Sequence, residues 1–172
     1  QGLAEELDSN SAVQNWGAVY TKSTTIYNAK GESASVSIVA TAKDSDLTRY
    51  VTFRTRKGHK TISFDSGSVI LTEKTAENLG LHTGDTFWVE NAEGTRVELT
   101  LTGITENYMF TRLYLPRAQL ESLLGTAEIP WNTVYGQTSC TDAAGYNALR
   151  TDLLDCNYVS SISFTEDTTE LF

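Results

Sequence analysis

The stretch VILTEKTAENLGLHTGDTFWV, residues 69–89, predicts a strand, a short helix and a second strand in close succession. Its first three residues are apolar and are typical of a buried strand. The helix begins at Thr72, whose side chain is suited to cap the first amides. Ala76 and Leu79 lie three residues apart on one helical face, and Gly80 is the left-handed residue expected just after the helix. We therefore expect a short helix with its own stop signal.

A hairpin is predicted directly after this helix. Gly84 and Asp85 suit a tight turn, and the residues after them alternate between apolar and polar as in a half-buried strand. Polar residues at 91–94 close the hairpin into a second strand, which carries Val97, Leu99, Leu101, Gly103 and Ile104. We expect a structural role, with no catalytic one, for the motif residues Leu79, Gly80, Gly84, Asp85, Gly103 and Ile104.

This order of elements resembles the extracytoplasmic domain of FtsX/MacB-type ABC-transporter permeases. In that family an apolar strand, a short helix ending in Leu-Gly, a Gly-Asp turn and a Gly-Ile strand follow one another. The matching residues here are 69–74, Ala76, 79–81, 84–86, Val97, Gly103, Ile104 and Tyr114. The family pattern continues into a helix at 117–124 and a strand, helix and strand over 132–164, so the resemblance covers about the last two-thirds of the chain.

The resemblance implies an α/β fold of the α+β type, with a mixed β-sheet and several short helices, as in the MacB-like periplasmic or extracellular core domain. It implies no enzymatic activity and no cofactor, because in the family the cytoplasmic ATPase hydrolyses ATP. The outer domain would couple the motion of the membrane helices to export, sensing or partner regulation outside the membrane.

The resemblance also implies partners and a location. The partners are a cytoplasmic ATPase subunit, reached through membrane helices, and a peptide, lipid or envelope protein outside. The parent protein would be a dimer embedded in the cell membrane, with this domain on the extracellular face or in the periplasm. The alternative is a stand-alone module that binds a ligand or protein on a small β-barrel, because Leu-Gly-Leu-x-x-Gly-Asp followed by a strand also occurs in such modules.

Composition favours one globular domain and weighs against nucleic acid as a partner. The chain has 172 residues, and its 40% hydrophobic content is enough for a core without disulfides or metal. The net charge is −9, so most of the surface would repel a phosphate backbone. The apolar runs are only a few residues long, far short of the ~20 needed to cross a bilayer.

Residues 1–16 are predicted to form an N-terminal helical segment, since Leu3, Leu7 and Val13 have helical spacing. In a permease this segment would continue the outer end of a membrane helix, and the chain would be the loop between two membrane helices. An ordinary N-terminal helix has the same spacing, so both alternatives stay open. Residues 17–172 are expected to form a single extracytoplasmic domain.

The elements predicted before residue 69 are two hairpins and one helical turn. Residues 17–28 and 34–42 form the first hairpin, with one packed face and one partly wet face. Residues 47–50 form the helical turn, capped by the aspartates at 44 and 46. Residues 51–54 and 60–64 form the second hairpin.

The last predicted unit is a strand, a helix and a strand. The first strand covers 132–139, the helix runs from Thr141 or Asp142 to about Cys156, and the final strand covers 158–164. Cys140 and Cys156 lie at the two ends of this helix, about 20 Å apart. A disulfide requires Cα atoms within about 7 Å of each other, so we predict that both thiols are free.

The sequence gives little indication of catalysis or metal binding. His59 and His82 lie in predicted loops, where solvated side chains are commoner than catalytic bases. The known local motifs for a nucleophile, a phosphate loop or a zinc site do not occur in this sequence. Together with the two cysteines, the histidines show no metal-ligand spacing.

One segment is a candidate partner contact because its residue types are enriched at recognition surfaces. Its residues are Tyr108, Met109, Phe110 and Arg112, to which we add Trp131 in a neighbouring loop. The alternative is that Tyr108 and Phe110 fill the core. We favour the core for Phe110 and the surface for Tyr108.

Overall fold

The computed structural model describes residues 3–41, 47–107, 110–126 and 128–156, together with residues 159 and 162. The helices in these ranges are α1 Leu3–Ser9, α2 Glu73–Leu79, α3 Arg117–Leu124 and α4 Ala143–Leu154. The strands are β1 Val13–Tyr27, β2 Ser33–Thr41, β3 Ile70–Thr72, β4 Thr86–Glu90, β5 Arg96–Thr100, β6 Gly103–Thr105, β7 Arg112–Leu115 and β8 Thr133–Thr138. A single 3-10 turn covers Leu47–Arg49.

The chain divides into two compact units, and the division falls within β1 and β8. The first unit contains Gln1–Trp16 and Gly136–Phe172, and the second contains Gly17–Tyr135. In the first unit α1 packs against α4. The structure thus groups the N-terminal segment with the last 37 residues, Gly136–Phe172.

The strands form a mixed sheet, which confirms the predicted α+β fold. Along the sheet the order is β5, β4, β1, β2, β7, β3 and β6, and β8 also pairs with β1. Neighbours are antiparallel except that β2 pairs with β7, and β3 with β6, in parallel. The described strands follow an open path with β5 and β6 at its ends, so the alternative of a small closed barrel is not favoured.

One face of the sheet packs against α2 and α3. Val36, Ile38 and Ala40 alternate along β2 toward this face and are buried. Leu120 and Leu123 of α3 are buried with them, as Ala76 and Leu79 of α2 are. The alternation in the sequence predicted this packed face because side chains two residues apart in a strand point the same way.

The opposite face is covered over part of its area by residues 47–64. Val19, Val39, Ile70 and Tyr114 of the sheet form a core cluster with Leu47 and Phe53 of this covering segment. The Phe53 ring stacks on Phe64 with centroids 4.9 Å apart and meets Tyr114 edge-on at 5.0 Å. The sheet is therefore a middle layer, with helices on one side and an aromatic segment on the other.

The motif after α2 has the geometry of a turn. Gly80 is the left-handed C-cap of α2, with φ of 62°, and Gly84 has φ of 99°. The Asp85 carboxylate accepts a hydrogen bond from the His82 amide at 2.8 Å, and the Asp85 amide donates to the His82 carbonyl at 3.0 Å. Asp85 therefore closes the loop that returns the chain into β4.

Gly103 lies directly against the covering segment. A Cβ atom at this position would lie 2.7 Å from Ile62 Cγ2, which is closer than real Cβ atoms approach. Ile104, the next residue, is half-buried in the short strand β6. β6 is separate from β5 and pairs with β3, so the prediction of one continuous strand from Val97 to Ile104 is wrong.

Three other local predictions need correction. The helix predicted over 1–16 ends at Ser9, and the chain from Val13 belongs to β1. Thr72 does not cap α2, because its hydroxyl accepts the Arg112 amide of β7 at 3.0 Å. The second hairpin is reduced to a single antiparallel bridge between Arg54 and Thr61. These three predictions came from local sequence patterns. In each case the structure was decided by pairing between residues far apart in the chain, or by the absence of such pairing.

Several predictions are confirmed, and two fall outside the described residues. The first hairpin pairs as expected, α3 covers 117–124, and α4 begins after Asp142, whose carboxylate accepts the Gly145 amide at 2.8 Å. Cys140 and Cys156 are free. The aspartates at 44 and 46 lie outside the described residues, as does nearly all of the strand predicted over 158–164.

Gly84→Ala should lower the free energy of unfolding by about 1–3 kcal/mol, because a φ of 99° is unfavourable for any residue with a Cβ atom. Gly67→Ala is the matched control, since Gly67 also lies in an exposed turn but lacks a positive φ. Urea unfolding of the two variants measures the difference. If Gly84→Ala and Gly67→Ala had equal free energies of unfolding, the turn would not depend on Gly84.

The two thiols should differ in reactivity in the native protein. Cys140 is half-buried, whereas Cys156 is buried, and this burial, assisted by the carboxylate of Glu6, raises the pKa of its thiol. A raised pKa leaves less thiolate at a given pH, so at pH ~8 we expect iodoacetamide to modify Cys140 about tenfold faster. Peptide mass spectrometry gives the two rates, and both thiols should react once the protein is unfolded without reductant. A missing thiol would contradict the placement of α4.

Candidate functional site

On the face of the sheet that packs against the covering segment, the side chains of β1 and β2 change from apolar to polar along the strands. Toward one end it presents Val19 and Val39, which are buried under residues 47–64. Toward the other end the same faces of the same two strands present only hydroxyl-bearing side chains, and each of them is exposed or half-buried. The covering segment thus lies on the apolar half of this face, and the polar half is accessible.

We call this accessible part of the sheet the open face. The strand register defines it, because directly opposed residues project to the same side of a sheet. Tyr27 opposes Ser33 of β2 and Trp88 of β4, and Trp88 in turn opposes Glu98 of β5. By the same pairing the open face comprises Ser23, Thr25, Tyr27, Ser33, Ser35, Ser37, Thr86, Trp88, Glu90, Arg96, Glu98, Thr100 and Arg112.

Two aromatic residues share one register position of the open face. Tyr27 and Trp88 are opposed residues on neighbouring strands, and both are half-buried. The Arg96 guanidinium lies 3.6 Å from the centroid of the Tyr27 ring, and the Tyr27 hydroxyl donates to Glu90 at 3.4 Å. Tyr27 is therefore fixed by charged neighbours on both its ring and its hydroxyl.

Trp88 differs from its neighbour in having no such contact. Within the part of the chain that the structure describes, no hydrogen bond, ion pair or ring contact engages its indole. The side chain is half-buried in β4, where Trp88 opposes Tyr27 on one side and Glu98 on the other. A tryptophan in that position presents both a flat apolar ring and an N–H donor to a ligand.

The border of the open face at β7 contains two residues of the predicted contact segment. Arg112 opposes Ser37 of β2, and its guanidinium lies 4.0 Å from the centroid of the Phe110 ring. Phe110 is 43% exposed, so the prediction that it belongs to the core is wrong. Tyr108 and Met109 lie outside the described residues. Phe110 and Arg112 together make a cationic and aromatic edge.

Arg112 also reaches the aromatic residues next to the covering segment. Its guanidinium donates to the Tyr135 hydroxyl at 3.4 Å, and Tyr135 meets Tyr50 edge-on at 6.3 Å. Burial raises the pKa of Tyr135, while the positive charge of Arg112 acts in the opposite direction. Tyr135 therefore stays a neutral hydrogen-bonding group at physiological pH.

Trp131, the remaining candidate contact residue, is not part of the open face. It is half-buried and precedes Asn132, whose side chain accepts the Thr21 amide at 2.9 Å and donates to the Thr21 carbonyl at 2.6 Å. The structure therefore places Arg112 on the open face, with Phe110 at its border, and leaves Trp131 in the loop before β8.

A shallow groove lies beside β1, near the end of α3. It has a volume of about 250 Å³. Its walls combine polar groups of β1 and of the β4–β5 turn with apolar side chains, among them Lys22, Asn91, Ile38, Leu123 and Leu124. The groove is smaller than ordinary small-molecule pockets, so we regard the broad open face as the main candidate surface.

The ionisable groups do not form a catalytic arrangement in the described ranges. Glu106 forms an ion pair with Arg54 at 2.8 Å, and its other oxygen lies 3.8 Å from His59 Nε2. His82 is exposed beside Asp85. Among residues 3–41, 47–107, 110–126 and 128–156, no group of three His, Cys, Asp or Glu side chains could hold a metal ion.

Two solved structures that share this fold are outer domains of transporters. The extracellular domain of the noncanonic ABC-type transporter YknZ from Gram-positive bacteria superposes with a TM-score of 0.58 at 19% identity, covering 88% of this chain and 78% of that one. The periplasmic region of MacB from Actinobacillus actinomycetemcomitans gives a TM-score of 0.50 at 12% identity, covering 87% of this chain and 70% of that one.

These matches confirm the predicted resemblance as a likeness of fold. The chain has the fold of the extracytoplasmic domains of MacB-like ABC-transporter permeases. Neither the family models nor the curated proteins compared with this sequence give a match.

Phe110→Ala should cost at most about 1 kcal/mol of stability, because it removes an exposed ring and one cation–π contact. Phe53→Ala makes the same chemical change in the core and should cost about 3–5 kcal/mol. Urea unfolding compares the two variants. A loss for Phe110→Ala as large as that for Phe53→Ala would place Phe110 in the core after all.

Proposed function

We propose that this chain is the extracytoplasmic domain of an ABC-transporter permease, acting at the extracellular face of the cell membrane or in the periplasm. The observation that carries the proposal is the fold likeness to the YknZ extracellular domain over 88% of this chain. The proposed role is non-enzymatic: the domain couples membrane-helix motion, driven by a cytoplasmic ATPase, to export, sensing or regulation of a partner outside the membrane.

The arrangement of the first unit supports this proposal. The first and last helices of the described chain, α1 and α4, pack together, and Asn10 of the α1 end donates a side-chain hydrogen bond to Asp152 of α4 at 3.1 Å. Residues near the N-terminal and C-terminal ends of the described chain therefore belong to one unit. We propose that α1 continues the outer end of a membrane helix, as the family resemblance implies.

None of the helices in the described ranges has the length and apolar character needed to cross a membrane.

Cell fractionation with an antibody raised against this chain tests the proposal. We expect the native protein in the membrane fraction, and we expect protease added outside intact cells or spheroplasts to cut it while a cytosolic marker stays whole. Mild detergent extraction should co-purify a protein that hydrolyses ATP. Recovery in the soluble cytosolic fraction, or protection until the membrane is broken, would contradict the proposal.

A further inference from the structure

We propose that the open face is a binding surface for an uncharged oligosaccharide, with Trp88 as the platform on which a sugar ring stacks. This inference concerns a ligand of the isolated chain and does not depend on the transporter role, so one can fail while the other holds. It rests on three features of the open face: its free aromatic ring, its rows of hydroxyl groups and its balanced charges.

The aromatic feature is the pair of Tyr27 and Trp88. A pyranose ring has an apolar face of C–H groups and an equator of hydroxyls, so it packs on a flat aromatic ring while its polar groups remain bonded. Tyr27 already carries the Arg96 guanidinium 3.6 Å above its ring. Trp88 carries no such contact within the described residues, and its ring is the one left for a ligand.

The hydroxyl feature surrounds these rings. Ser33, Ser35 and Ser37 follow one another along β2, facing Tyr27, Thr25 and Ser23 of β1. Side chains on one face of a sheet recur every ~6.7 Å along a strand and every ~4.8 Å across strands, so these hydroxyls form a regular grid. Each hydroxyl can donate or accept by rotating, which suits a ligand whose own hydroxyls do the same.

The charges of the open face indicate an uncharged ligand. Arg96 and Arg112 are balanced by Glu90 and Glu98, although the whole chain has a net charge of −9. A polyanion would be repelled by the surrounding surface, and a polycation would find no excess negative charge on this face. A neutral ligand that needs hydrogen bonds and one aromatic contact fits the arrangement.

A protein partner fits the same surface less well. Stable protein interfaces have an apolar core from which charged residues are depleted. Among the residues that define the open face, only Tyr27 and Trp88 have large apolar side chains, and Glu98 and Arg96 lie beside them among hydroxyls. The exposed Phe110 lies outside this set, at the border formed by β7. The face is therefore too polar at its centre to bury in a dry interface.

NMR of the three tryptophan indoles tests the proposal directly. The chain has three tryptophans, so a ¹⁵N-labelled sample gives three indole N–H signals, and Trp88→Phe assigns one of them. We expect titration with chitotetraose or cellotetraose to shift the Trp88 signal saturably, with little dependence on salt. The Trp16 signal is the internal control, because its indole donates to Asp8 in the first unit at 2.7 Å.

Variants then locate the surface. Trp88→Ala should weaken the oligosaccharide affinity at least about tenfold, as expected for loss of a central aromatic contact. Ser35→Arg keeps the aromatic rings and adds bulk at the centre of the hydroxyl rows, and it should weaken binding by a similar factor. Ser122→Arg makes the same change at an exposed serine of α3, off the open face, and should leave the affinity unchanged. Circular dichroism confirms that each variant is folded.

Three outcomes would overturn the proposal. The first is the absence of any Trp88 shift at ~10 mM of either neutral oligosaccharide. The second is a response to tetragalacturonate or to a peptide without a response to the neutral sugars, which would assign the face to another class of ligand. The third is binding that Ser35→Arg and Ser122→Arg weaken equally, which would place the ligand elsewhere.

Discussion

The register of β1 is the constraint on which the rest of the structure depends. This strand pairs with β2 over residues 19–27 and with β4 at its end. A slip of one residue would exchange Ile26, which is fully buried, with Tyr27, which belongs to the open face. Because β4 and β5 are aligned through β1, the same slip would also separate Trp88 from Tyr27. The register of β1 with its neighbouring strands therefore determines both which residues form the core and which form the open face.

The covering segment explains why one face of the sheet has two characters. In the covering segment, residues 47–64, Phe53 packs on the buried Tyr114. The segment does not extend over the rest of that face. The segment is anchored at the sheet edge, where the Thr105 hydroxyl accepts the Arg54 amide and the Glu106 amide donates to the Arg54 carbonyl. These bonds satisfy backbone groups at the end of the sheet near β6, which would otherwise be an open edge.

The balance of charge separates the open face from the remainder of the molecule. The chain carries an excess of acidic residues, yet the two arginines of the open face each lie over an aromatic ring, Tyr27 or Phe110. Stacking of this kind holds each guanidinium in place over its ring. An acidic domain can in this way keep a neutral patch whose polar groups are already positioned for a ligand.

The sequence by itself determined the elements whose signals are local. Gly80 ends α2, Asp142 begins α4, and the alternation in β2 separates a packed face from a wet one, because each of these effects depends on residues a few positions apart. The family resemblance depended on the order of such elements, and the fold confirmed it.

Only the tertiary structure decided which distant residues meet. Thr72 was expected to cap its own helix, but its hydroxyl bonds the Arg112 amide 40 residues away. Phe110 was expected in the core, but it lies two residues before β7 and is exposed beside Arg112. The pairing of Tyr27 with Trp88 joins strands far apart in the chain, and no local pattern encodes that register. Long-range pairing is set by the total burial of the sheet, so the surface it creates is visible only in the folded protein.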